Sequence, residues 1–259
     1  MNTAPSTTSA VDRAAAARRR EASMARQVVL GSLRGTLPTY ISFWVVMVIV
    51  LVVLTIVQAR TGALEEPVFA FIGSGRWFLF VMGIIVPVAM LATHVVGGGG
   101  TRRSVVRGLW ALAIASGIAF GLLALVMTIV QNALWAANDW PDVSLTGRSY
   151  VVTQPWRLAL SETVCNAVYY VAGAAVGTGY YRWGGWRGTA ALPLAAVPAV
   201  VAEVTLQGSS YGEPLARALG MAAFSVPVAV AGSILATALA AGLLHLIVRD
   251  IRIRALTSS

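Results

Sequence analysis

Two stretches of this chain, 108–138 and 218–248, each run for roughly thirty residues without a charged side chain. As helix, either would extend about 46 Å, beyond the roughly 30 Å hydrocarbon core that about 20 apolar residues cross. The apolarity is continuous rather than alternating, and unpaired backbone groups are costly in lipid, so transmembrane helices are the predicted structure. Composition agrees. The 259 residues are 58% hydrophobic and 11% charged, with a mean hydropathy of +0.76, whereas soluble domains carry about 25% charged residues.

Further runs stand at 40–58, 77–96, 158–181 (interrupted by Glu162) and 188–207 (proline-bearing and containing Glu203). The reading is an all-α polytopic membrane protein with six transmembrane helices. Spans three and six are longer than a bilayer requires, so they must tilt, protrude or break. Pro227 marks a kink in span six.

Arginine placement orients the spans. Fourteen arginines fall on one side: Arg13 to Arg34, then Arg102, Arg103 and Arg107, then Arg182 and Arg187, then Arg249 to Arg254. Five fall on the other: Arg60, Arg76, Arg148, Arg157 and Arg217. Both termini are therefore expected in the cytoplasm. The organisation read from the chain is a basic disordered tail (1–22), an interfacial amphipathic helix (23–38), the six-helix transmembrane domain (39–248) and a cytoplasmic tail (249–259). Residues 1–38 lack the apolar core and small-residue cleavage site of a signal peptide. Tyr40, Trp44, Trp77, Trp135, Trp140, Trp156 and the Tyr180–Trp186 group fit aromatic belts.

Several functions are excluded or disfavoured. All 19 basic residues are arginine, and without lysine the chain cannot form a P-loop. The net charge of +9 reads as membrane topology rather than nucleic-acid binding. Cys165 alone makes no internal disulfide, and His94 and His245 alone make no metal centre. A Ser-His-Asp arrangement would have to recruit cytoplasmic-side histidines and outer-loop aspartates from opposite membrane faces, so no catalytic residue, metal or bound cofactor is expected.

The segment after span two reads HVVGGGGTRRSVVRGLW (94–110). Thr101 suits a helix N-cap, for a short helix carrying Arg102, Arg103 and Arg107. Arginine there opposes the helix dipole, so the cluster needs another reason. The segment after span four reads AVGTGYYRWGGWRG (175–188); its Gly177–Gly179 pair lacks the third glycine and preceding strand of a dinucleotide loop. Glu162 and Glu203 are intramembrane carboxylates. They either pair with Arg157 or Arg217, are hydrated near the outer ends of their spans, or line a transport path. Gln131 and Asn132 are candidates for interhelical hydrogen bonds. Gly232, Ser233, Ala236, Ala240 and Ala241 would allow close helix contact.

GGGTRRSVVRG and GTGYYRWGGWRG resemble segments in the membrane subunits of ABC-type exporters of the small six-span export-permease family. The resemblance implies a permease whose cytoplasmic loop couples to a separate ATPase subunit carrying ATP and Mg. Thr101, Arg102, Arg103 and Arg107 would then be coupling residues, with Arg26 and Arg34 on the N-terminal helix beside them. It also implies a second permease copy, identical or related, a central path for an amphiphilic compound, and a bacterial cell membrane. The 207–219 segment is short for the re-entrant helices of larger relatives. The alternative is a membrane-embedded assembly factor or regulatory protein that uses the basic tail as its contact. The expected partners are the ATPase, a second copy and membrane lipid, with no nucleic acid.

Overall fold

The computed structural model describes residues 10–61, 73–91, 101–140, 155–207, 212–221, 224–249 and 251. Eight helices are found among them: α1 (Ala10–Thr61), α2 (Ser74–Met90), α3 (Arg102–Ala137), α4 (Pro155–Trp183), α5 (Gly185–Ala190), α6 (Leu192–Leu206), α7 (Gly212–Ala218) and α8 (Val226–Arg249). No strand occurs among the described residues. Four apolar helical stretches are long enough to cross a membrane: Arg18–Thr61, Arg103–Ala137, Gly185–Leu206 and Val226–Arg249. Gly75–Met90 is a shorter apolar helix.

Helix α1 is one 52-residue rod, about 78 Å long. It begins at Ala10, within the stretch expected to be frayed, and continues through Pro38, where the separate amphipathic helix was expected to end. Residues 1–9 and 252–259, with most of the expected C-terminal tail, lie outside the described residues.

Two helix boundaries differ from expectation because of proline and glycine. The fifth run breaks at Ala191, between α5 and α6, where Pro193 supplies no N–H in the first turn of α6. Gly184, at φ +79°, makes the turn from α4 into α5. The sixth run splits as well. α7 is closed by Gly220, φ +69°, two residues past its end, with Met221 N–H donating to Ala216 C=O, as in a Schellman closure. α8 then starts at Val226, so Pro227 occupies its first turn, where a missing N–H costs little, instead of kinking a longer span.

The centre of the bundle is α4, which packs against α2, α3, α6 and α8. Every residue from Val168 to Gly179 is buried. Glycines permit its close contacts. A Cβ at Gly83 of α2 would overlap the Tyr170 carbonyl, and one at Gly173 or Gly177 of α4 would overlap the carbonyls of Phe80 or Ile84. On α8, Gly232 similarly fits against Thr205 of α6.

Helix α1 lies beside α3. Tyr40 meets the Ser116 hydroxyl at 3.4 Å, and Phe43 stacks on Phe78 at 4.2 Å between centroids and lies 5.8 Å from Phe120. Further along, Leu51 packs with Ala124 and Met127. Residue numbers rise together along the contact, so α1 and α3 run parallel. Most of the remaining α1 face is apolar and exposed, including Val46 and Ile49.

Candidate functional site

Among the described residues two charge clusters stand out, one inside the bundle and one at the end where α3 begins. The internal cluster is centred on Arg76, in the first turn of α2. Its Nη2 donates to Glu162 of α4 and its Nη1 to Glu203 of α6. All three side chains are nearly sealed, at 2–5% exposure. Asn166, one turn beyond Glu162, donates to the Glu162 carbonyl at 2.8 Å. Tyr169, a further turn along, lies beside Glu203. The neighbouring Gly75 faces Phe120 and Asn166, and Phe120 falls midway along α3. The cluster therefore lies in the body of the bundle.

This arrangement corrects the expected pairing. Arg76 was assigned to an outer loop, and Arg157 and Arg217 were offered as partners for the two glutamates. Instead, Arg76 takes both. Arg217 pairs with Glu213 one turn away within α7, and Arg157 lies over the Phe224 ring at 3.4 Å. A planar guanidinium can present separate donors to two carboxylates, and here each acceptor comes from a different helix. The result ties α2, α4 and α6 together. Buried charge is tolerated in a membrane protein when paired inside the bundle.

The second cluster is built at the start of α3. Thr101 caps the helix: its Oγ1 accepts from Ser104 N–H at 3.1 Å, and Ser104 Oγ accepts from Thr101 N–H at 3.1 Å. This reciprocal box satisfies two otherwise unpaired donors. The expected short helix is absent as a separate element, because Arg102 opens α3 itself and the helix continues to Ala137. Arg103 Nε lies 3.5 Å and Arg107 Nη1 3.0 Å from the Glu21 carboxylate of α1. Glu21 gives Arg103 and Arg107 a counter-charge near a helix start that the dipole disfavours for cations. Both arginines are half-exposed or more, so the bonds are weak individually. Arg26 and Arg34 on α1 are exposed. The side chain of Arg102 and the Gly97–Gly100 run lie outside the described residues.

Other ends gather here. Arg182, near the end of α4, donates to the carbonyls of Leu246 and Ile247 at 3.0 and 3.1 Å, close to the end of α8. No group of three or more metal-ligating side chains occurs among the described residues. Cys165 is buried against Ala202 and Leu206 as a packing residue.

Sequence reasoning singled out Glu162, Glu203, Thr101, Arg103 and Arg107 but missed Arg76 and Glu21 as their partners. The available signal for Glu21 was its position as an isolated acid after Arg18, Arg19 and Arg20. For Arg76, it was the adjoining apolar run at 77–96. Comparison with protein-family models, curated proteins and solved structures finds no match to this chain.

Proposed function

We propose that this chain is the transmembrane permease subunit of an ABC-type exporter, moving an amphiphilic compound with energy from a separate ATPase. In this reading α1, α2, α3, α4, the α5–α6 pair and α8 are the six spans, and both termini are cytoplasmic. The observation that carries it is the Glu21 clasp. It binds the N-terminal helix to the start of α3, so the two elements named by the resemblance meet as one basic surface. Arg103 and Arg107 remain partly exposed and available to a second protein. The long rod of α1 would carry displacement from that surface into the bundle. ATP hydrolysis would act by changing the relative stability of two bundle states, which requires the ATPase to contact them differently.

The test is co-purification from the native host in mild detergent. A near-stoichiometric protein bearing a P-loop lysine and an ABC signature is expected with the wild-type chain. Arg103→Glu with Arg107→Glu should reduce its recovery at least tenfold while the permease still inserts. Unchanged recovery would remove the coupling role from this surface. If no ATPase accompanies the wild type in extracts that retain other membrane complexes, the exporter reading fails. The exposed Arg18, Arg19 and Arg20 would then favour the interaction-protein reading, in which deletion of residues 1–22 abolishes function.

A further inference from the structure

Beyond the Leu51–Ala124 contact, α1 and α3 frame a crevice of about 500 Å³. Its walls are apolar, with Val48, Val52 and Ile56 from α1 facing Met127, Val130 and Leu134 from α3. Val52 is 51% and Val130 58% exposed, so the described protein leaves this surface open. Polar groups gather towards the far end, where Arg60 and Asn138 line the mouth. Trp135 and Trp140 also lie there, edge to face at 4.8 Å. From Val48 to Arg60 the helix rises about 18 Å.

This is an amphiphile-shaped site with a long apolar body and one cationic end. Among the described residues no acidic side chain lines it, and Arg60 makes no ion pair with one of them. Arg60 also suits the dipole at the α1 C-terminus, but that interaction leaves guanidinium donors free. Arginine binds phosphate oxygens through two parallel N–H bonds, and tryptophans favour the headgroup level. We propose that the crevice holds one acyl chain of an anionic phospholipid from the surrounding bilayer, its phosphate bound by Arg60. The cation at the mouth favours a head of net negative charge over a zwitterionic one. The site is independent of the exporter reading.

The test uses the full chain, without any ATPase, in phosphatidylcholine nanodiscs. Tryptophan emission is followed as phosphatidylglycerol with brominated acyl chains is added, and separately with brominated phosphatidylcholine. Wild type should show saturable quenching, reaching half-effect at a roughly tenfold lower mole fraction of the anionic lipid. Trp135→Phe with Trp140→Phe should remove that saturable component, locating it in the crevice. Arg60→Gln should abolish the headgroup preference, and Arg60→Lys should restore part of it. Val52→Phe with Val130→Phe should reduce quenching by both lipids; if that pair fails to insert, the Arg60 variants decide. Equal, non-saturating quenching by both lipids overturns the proposal. So does a preference that survives Arg60→Gln, which would place anionic-lipid binding at the arginine-rich end instead.

Discussion

Helices α1 and α4 divide the work of this protein in opposite ways. Among the described residues the most apolar of the long helical stretches is in α1, yet little of it is buried. α4 contains Ser161, Glu162, Asn166 and Thr178 and is buried over most of its length. It is not among the four stretches apolar and long enough to cross a membrane. In lipid, an apolar side chain gains little by leaving the bilayer for a protein interior. High hydropathy thus marks the surface presented to lipid, while small and polar residues mark the helix around which the others assemble.

The comparison breaks first at the glycines. Gly173→Leu places a side chain against the Phe80 carbonyl and should prevent α2 from seating. The expected loss exceeds about 4 kcal/mol, seen as disappearance of the monodisperse peak in fluorescence-detected size exclusion. A well-behaved variant with wild-type thermal stability would mean that the α2–α4 contact is not what organises the bundle.

Arg76→Met should come next. It leaves two carboxylates buried without their cation, at a cost of about 3–5 kcal/mol, measured by unfolding in mixed micelles. Adding Glu162→Gln and Glu203→Gln should recover most of the loss, since the penalty is uncompensated charge. Recovery with neither glutamine would show that Arg76 acts through its packing.

On α1 the expected effect is smallest. Ile49 is 55% exposed, and Ile49→Ala should shift stability by less than about 0.5 kcal/mol in the same assay. A loss above 2 kcal/mol would sharpen the contrast in another direction, because it would mean that a second chain covers this face.

The helices were legible because apolarity persists over stretches that only a bilayer explains. The Thr101 cap was legible because it depends on residues three apart in sequence. Arg76 was not, since its carboxylates lie 86 and 127 residues away and no local pattern connects them. A loop arginine beside an apolar run and a helical arginine in the first turn look identical until the partners are placed. The divided fifth and sixth runs were misread for a different reason: hydropathy does not register the lost N–H at Pro193 or the left-handed turn at Gly220. Glu21 was hidden inside a basic tail whose composition suggested disorder.

The distant partners of Arg76 also constrain how the protein is made. At about 5–20 residues per second, Glu162 emerges roughly 4–17 s after Arg76, and Glu203 roughly 6–25 s after it. Until Glu162 emerges, α2 carries an uncompensated cation at one end, which opposes its burial. The nascent chain must hold this short helix in a waiting position, near water or beside the insertion machinery, until α4 and then α6 arrive. Assembly is therefore completed from the C-terminal half: a chain interrupted before Glu203 would hold Arg76 against Glu162 alone, balanced in charge but without the bond that ties α6 to α2.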